Sequence, residues 1–421
     1  MRVLVVGNGG REHAMLWKLA GSPRRPELFA APGNAGTSAL ATNLDVQAND
    51  VDGVLKAAHE HRIDLTIVGP EGPLAAGIVD RFHAEGMRVF GPTKAAAQIE
   101  SSKVFSKQLM RSAGVPTADF EVFDDAGAAK AYVRRQGAPI VIKADGLAAG
   151  KGVVVAKSVE EALAALEDMM VHRVFGGSGN RVVLEACLSG QEVSVFCFTD
   201  GQRVTPLVAA CDYKRAYDSD GGPNTGGMGG YSPPPFWNPE LERALRATCI
   251  EPVVHEMARS GTPYTGVLYG GLMLTDKGPY VIEFNARFGD PEAQLVLPRL
   301  ETDLLDVVDA VIDGKVDQLG LQWSRDTTVG VVLASGGYPG HYETGKPIAG
   351  LDQAAGAEDS LVFHAGTAAR AGGVVTTGGR VLTVVGRGAE APEARALAYE
   401  AAARITFAGK HYRQDIASFA S

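Results

Sequence analysis

PIVIKADGLAAGKGVVV, residues 139–155, decides how this chain is read. An apolar strand carries one lysine, Lys143. A glycine-rich loop follows, with Gly146, Gly150, Lys151 and Gly152, and then a second apolar strand. Glycines let backbone N–H groups come close to an anion, and the two lysines supply point charges. The pattern is a polyphosphate grip built on a hairpin, and it points to an enzyme that consumes a nucleoside triphosphate. It is not a Walker A loop: three residues separate Gly146 from Gly150, and Gly152 stands where Ser or Thr would hold magnesium. Taken alone, the segment also fits a glycine-rich hairpin turn with exposed lysines.

Outward from this hairpin, a helix is predicted over 101–113, ending at Gly114 before Val115-Pro116, and another over 158–170. RVVLEAC (181–187) and EVSVFCFTD (192–200) read as strands, with a turn at Leu188-Ser189-Gly190. Towards the N-terminus, VLVV (3–6), DLTIVG (64–69) and RVF (88–90) alternate with helical stretches, which predicts a parallel sheet. Residues 211–235, crowded with Gly, Pro, Asp and Asn, read as a long loop, functional or disordered. GGLMLT and PYVIEFNA (270–286) read as a hairpin around Asp276-Lys277-Gly278, and 302–314 as a helix stopped by Gly314. Beyond about 323 the segments are short and β-rich. They include 372–386 with a hairpin turn at Gly378-Gly379, followed by an alanine-rich helix at about 392–405. The expected class is α/β, α+β in parts, with boundaries near 100 and 323.

Bulk properties narrow the function. A chain of 421 residues has room for about three domains. Its 45% hydrophobic and 21% charged content is that of an ordinary globular protein. The net charge of -9 argues against general nucleic-acid affinity, so a polyanionic ligand needs locally concentrated cations. Cys187, Cys197, Cys211 and Cys249 form no CxxC pair, which fits a reducing cytoplasm. No segment approaches the ~20 apolar residues of a membrane span, and the apolar run at the N-terminus is too short for a signal peptide.

The remaining motifs differ in sharpness. VVGNGGREH lacks the GxGxxG spacing, and the stretch FAAPGNAG (29–36) offers no acid for a ribose, which disfavours a nicotinamide or flavin site. The turn is read as a helix N-terminus holding a phosphate through Asn8, Gly9, Gly10 and Arg11; a tight turn without ligand remains open. Glu71, in GPEGPLAAG (69–77), would lie on the same sheet edge and help hold a sugar. Glu185 and Glu192 flank the strand junction LEACLSGQE and read either as surface carboxylates or as a hinge beneath a nucleotide. IEFNARFGDPE (282–292) is sharper. On a strand, Glu283, Asn285 and Arg287 share one face while Ile282, Phe284 and Ala286 face the core. Two oxygen ligands and a guanidinium suit a magnesium–phosphate platform better than an ion-pair ladder. The 211–233 segment supplies Asp212, Lys214, Arg215, Asp218, Asp220, Asn224 and Thr225.

VVGNGGREHA, APGNAGT, IVGPEGPLAAG, FGPTKAAAQIESSK, VIKADGLAAGKGV, DYKRAYDSDGGPNTGGMGGYSP, VIEFNARFGDPE and VLASGGYPG occur in this order over nearly the whole length. In this the chain resembles the phosphoribosylamine–glycine ligase family of ATP-grasp enzymes. The resemblance implies an N-terminal parallel α/β pre-ATP-grasp domain (1–100), an ATP-grasp domain (101–322) with a small lid (about 117–188), and a C-terminal β-rich domain (323–421). It implies ATP contacts at Lys103, Lys143, Glu185, Leu188 and Glu192, beside Gly150 and Lys151 of the loop. Mg²⁺ or Mn²⁺ is expected on Glu283 and Asn285, with Lys214 and Arg287 as catalytic cations. The implied substrates are glycine and 5-phosphoribosylamine, with Asp212 and Asn224 on the substrate side. A cytoplasmic monomer without nucleic-acid or membrane partners is expected. Assignment of the phosphoribosylamine phosphate to the Asn8, Gly9, Gly10 and Arg11 turn is a separate inference. The sequence departs from the family's double acids at the hinge, reading Glu185-Ala186 and Gln191-Glu192, and GGLML carries no metal-binding acid. Another ATP-grasp ligase using bicarbonate or formate, or a non-catalytic nucleotide sensor, is the alternative.

Overall fold

In the computed structural model, residues 1–147, 152–355 and 359–420 are described. Strands β1 (Arg2–Gly7), β2 (Glu27–Pro32), β3 (Thr42–Asn43), β4 (Leu65–Val68) and β5 (Val89–Phe90) form a parallel sheet in the order β3-β2-β1-β4-β5. Val3, Leu4, Val5 and Val6 of β1 are fully buried, as a strand covered on both faces requires. β1 ends at Gly7, whose φ is +126°, and a Cβ there would lie 2.5 Å from Glu12 Cγ. Only glycine suits that position. Glu12 in turn reaches back to accept from Gly9 N–H at 2.6 Å, capping the helix Gly10–Ala20.

The next layer is an antiparallel sheet of β6 (Phe120–Phe123), β7 (Ile140–Ala144), β8 (Val153–Ala156) and β9 (Val182–Ala186), in the order β6-β9-β7-β8. Helices Ala126–Gln136 and Val159–Leu166 cover one face through Val133, Ala162 and Leu166 against Ile142 and Leu184. Strand alternation then turns Val141, Lys143, Val153, Val155 and Glu185 to the opposite face. The helix predicted over 101–113 is broken at Ser102, whose extended backbone and Oγ cap start a fresh helix, Lys103–Ser112.

β10 (Gln191–Asp200) and β11 (Val208–Asp212) begin a third sheet. The predicted long loop after them is instead a hairpin, β12 (Arg215–Tyr217) and β13 (Gly221–Asn224), followed by β14 (Gly229–Ser232). Glycine and proline hid β13 and β14 from a reading by composition, and β12 is only three residues long. β14 is an interior strand: Gly229 and Gly230 let it pass close to the backbones of Gly330 and Cys211. With β15 (Thr265–Thr275), β16 (Gly278–Asn285) and β17 (Thr327–Ala334) the sheet runs on into the C-terminal segment. There β18 (Pro347–Ile348), β19 (Ser360–His364), β20 (Thr367–Arg370), β21 (Gly373–Thr376) and β22 (Arg380–Gly388) follow. The order of the eight-stranded sheet is β16-β15-β10-β11-β14-β17-β22-β19, every neighbouring pair antiparallel. The Gly378-Gly379 turn is not a hairpin. β21 pairs with β18 and β20, whereas β22 pairs with β17 and β19, so the chain changes sheets there. No helix among the described residues is long and apolar enough to cross a membrane.

Candidate active site

A cleft of about 810 Å³ lies between the polar face of the β6–β9 sheet and the β15–β16 edge of the large sheet. That is within the size range of small-molecule sites. Val141, Val155, Leu188, Leu272 and Met273 give it an apolar part. Lys103, Lys143, Lys214, Arg287, Glu283 and Asn285 give it a charged part. The sequence-predicted residues Arg11, Glu71, Glu185, Glu192, Asp212 and Asn224 also line it.

The β16 face is built largely as the alternation predicts, with one correction. The β15–β16 register shifts between Gly271 and Leu272, so that Gly271 opposes Glu283 and Leu272 opposes Val281. Ile282 is the extra residue of this bulge. It therefore lines the cleft rather than the core, and its carbonyl accepts from Lys143 Nζ at 3.1 Å. Phe284 and Ala286 remain buried behind Glu283 and Asn285.

Two ion-pair groups flank the cleft, one around the hairpin and one on the late strand, and the helix Lys103–Ser112 supplies a lysine to each. Lys143 Nζ and Lys107 Nζ lie 3.0 Å and 2.9 Å from the same Glu185 oxygen, Oε2. All three side chains are buried. Glu185 therefore braces two lysines and is not a surface carboxylate, and its Oε1 is buried without a hydrogen-bond partner. Burial pulls Lys107 down to about 8, with Glu185 acting in the opposite direction. Replacing Glu185 by Gln leaves two close, buried ammonium groups without their counter-charge. A loss of about 3–5 kcal/mol is expected, read as a drop in denaturant midpoint; an unchanged midpoint would show that the brace contributes little. The second pair is Lys103 Nζ with Glu283 Oε2 at 2.9 Å. The Lys103 charge outweighs burial and holds Glu283 down at about 2.

Arg287 is heavily engaged. Its Nη2 lies 2.7 Å from Glu100 Oε1, its Nε 3.2 Å from Glu71 Oε2, and its Nη1 donates to Phe288 O. Burial raises Glu71, but Arg287 and Arg11 more than reverse this and bring it to about 2. At the far end, Lys214 Nζ lies 2.7 Å from Asp212 and 3.0 Å from Glu192. Arg380 Nη2 lies 3.5 Å from Asp290.

The turn at residues 8–11 is only partly in the cleft. Arg11 reaches it, but Asn8, Gly9 and Gly10 do not line it. Gly9 N–H donates to Glu12, and Arg11 N–H to Asp290 Oδ2 at 3.4 Å. Protein carboxylates thus take two of the donors that the phosphate reading assigned to this turn, and an anion there would meet both acids. Gly150 and Lys151 lie outside the described residues.

A hard divalent ion fits the donor set on β16. Among the described residues, no group of three or more His, Cys, Asp or Glu is placed to hold a metal by itself. Glu283 and the buried Asn285 offer one carboxylate and one amide oxygen side by side on the cleft face. Mg²⁺ commonly takes few protein ligands and completes its shell with phosphate and water.

Three family models cover nearly all of this architecture. Residues 1–100 match the phosphoribosylglycinamide synthetase N domain, 101–293 its ATP-grasp (A) domain, and 328–419 its C domain. The chain belongs to the phosphoribosylglycinamide synthetase family. It is 51% identical to the phosphoribosylamine–glycine ligase of Halalkalibacterium halodurans, over 99% of this chain and 97% of that one. To the ligase of Neisseria meningitidis it is 50% identical, over 99% of both chains. The crystal structure of phosphoribosylamine–glycine ligase from Thermotoga maritima superposes with a TM-score of 0.86 at 36% identity, covering 99% of this chain and 100% of that one. A biotin carboxylase domain from Hydrogenobacter thermophilus, in complex with MgADP and bicarbonate, shares the fold at a TM-score of 0.73 and 16% identity, over 98% of this chain and 91% of that one. The α/β class and ATP-grasp fold expected from the sequence agree with these likenesses. The match to the ATP-grasp (A) domain makes ATP a cofactor of this chain.

Several residues in or just behind the cleft of this family member escaped the sequence reading. Lys107 lies one helical turn beyond Lys103, an i,i+4 spacing that could have marked it. Glu100 lies within FGPTKAAAQIESSK, but its contacts to Ala286 N–H and Arg287 are long-range; Tyr269 and Arg380 carry no local motif, and their place in the cleft follows from the positions of β15 and β22.

Proposed function

We propose that the protein joins glycine to 5-phosphoribosylamine, forming glycinamide ribonucleotide with conversion of ATP to ADP and phosphate in purine biosynthesis. The observation that carries this reading is one cleft gathering cations and hard oxygen ligands from four separate segments, in a chain about half identical to phosphoribosylamine–glycine ligases. On this reading Val141, Val155, Leu188 and Met273 enclose the adenine, and Glu192 accepts from the ribose. Lys103 and Lys143, with Gly150 and Lys151 of the loop, draw the phosphates in. Glu283 and Asn285 hold Mg²⁺ or Mn²⁺, which neutralises phosphate charge when bound. Lys214 and Arg287 balance the transferred phosphoryl group. Asp212, Asn224, Glu71 and Arg11 face the substrates.

A carboxylate is a poor electrophile, so the glycine carboxylate first attacks the γ-phosphorus, giving glycyl phosphate and ADP. This step needs positioning and charge stabilisation rather than a protein nucleophile. The amine of phosphoribosylamine then attacks the activated carbonyl and phosphate leaves. Water would destroy the acyl phosphate, which gives the β6–β9 sheet the work of a lid over the β15–β16 edge. The unit boundaries near 100 and 323, with the lid at about 117–188, follow this division of labour, and the chain acts as a cytoplasmic monomer. ADP release is expected to need glycine and freshly generated phosphoribosylamine together. Equal release with bicarbonate or formate in place of glycine would overturn the assignment.

A further inference from the structure

Glu292 begins the short helix Glu292–Val296 and is buried, 4% exposed, yet it lines the cleft. Its Oε1 accepts from Tyr269 OH at 3.0 Å, and that hydroxyl lies 2.7 Å from Ser194 Oγ. A Cβ built on Gly289 would lie 2.3 Å from Glu292 Oε2. Gly289 does not have a left-handed backbone, so what its lack of a side chain provides here is room for the carboxylate. A rigidly held, solvent-shielded carboxyl group in the cleft therefore has no part in the steps derived above. We propose that Glu292 is the catalytic base of the second step, accepting through Oε2 the proton that the phosphoribosylamine nitrogen loses as it attacks glycyl phosphate. Glu292 has this role only if the protein performs the ligation proposed above.

The step balances without a further reactant. The amine lone pair forms the C–N bond, the C–O bond to phosphate breaks, and phosphate leaves with that electron pair. The proton on the new ammonium nitrogen passes to the Glu292 carboxylate, which later releases it to water. The surroundings place this carboxyl group near the working pH. Burial, followed by the like charge of Asp212, raises it to about 7, while Lys214 and the Tyr269 hydroxyl pull it down. From the other elements around it, Arg287 and Arg380 are close enough to sense its charge, and Asp290 is paired with Arg380. A base of this strength is ionised for a large fraction of the time at neutral pH and still takes up a proton.

The test separates the two half-reactions. Hydroxylamine at high concentration captures acyl phosphates without an enzyme base, so glycyl hydroxamate formed from ATP and glycine reports the first step. Glycinamide ribonucleotide formation reports both. For Glu292→Gln, hydroxamate formation is expected within about threefold of the parent, and ligation is expected to fall about 10²-fold or more. The parent's acid limb in kcat/KM for phosphoribosylamine, near pH 7, should be absent in Glu292→Gln on the same substrate. Tyr269→Phe removes a donor to the ionised form and should move the limb to higher pH. Gly289→Ala, which displaces the carboxylate without deleting it, should reproduce the split if Glu292→Gln does not fold. Parallel loss of hydroxamate and ligation would overturn the proposal, as would unchanged ligation. A parent that makes neither product would instead defeat the ligation reading itself.

Discussion

Lys143→Ala is expected to lower kcat/KM for ATP by about 10²–10³-fold, the usual cost of removing one preorganised charge from a reacting phosphate or oxyanion. The geometry makes this a clean experiment. Lys143 shares Glu185 Oε2 with Lys107, so the glutamate keeps a partner at 2.9 Å when Lys143 is truncated. The β6–β9 sheet also keeps its packed face, because Ile140 and Ile142 belong to the core beneath the two helices and do not line the cleft. The loss should therefore be seen in nucleotide affinity and turnover with little change in the unfolding midpoint. Unchanged turnover together with unchanged ATP affinity would remove the hairpin from the nucleotide site.

Glu283→Gln combined with Asn285→Ala is expected to raise the Mg²⁺ concentration needed for half-maximal activity by at least about tenfold, since the protein ligand set is so small. Lys103 and burial act on Glu283 in opposite senses, and Lys103 prevails. With its pKa at about 2, the group is ionised across the whole working pH range. Its contribution to metal binding should therefore not titrate above about pH 4. A metal titration matching the parent's would refute the β16 platform, and a steep pH dependence above pH 5 in the parent would point to a different ligand.

Much of the fold was legible because its signals were local. β1 is a β-branched run ended by a glycine that only glycine can satisfy. β7 and β8 are apolar strands around a glycine loop, and β15 and β16 meet at a turn sequence. The candidate platform was legible for the same reason, since Glu283, Asn285 and Arg287 alternate on one strand. Failures came where tertiary packing overrode composition. β13 and β14 are rich in glycine, β12 is only three residues long, and β14 is stable because it is paired on both sides within the large sheet. The Gly378-Gly379 turn looked like a hairpin, but its flanking strands find partners in different sheets. Ile282 left the core because a one-residue bulge resets the alternation. The burial of Glu185 between two lysines depends on a helix and two strands distant in sequence, and no local pattern encodes it.

On the proposed function, Lys103, Lys143 and the oxygen ligands of β16 surround one metal-bound triphosphate. A crystal structure with a non-hydrolysable ATP analogue and Mg²⁺ tests this most directly. The β- and γ-phosphates are expected between Lys103 and Lys143, with the ion in direct contact with both Glu283 and Asn285 and the adenine beside Leu188. A nucleotide bound outside this cleft, or a metal ion that touches neither Glu283 nor Asn285, would contradict the account.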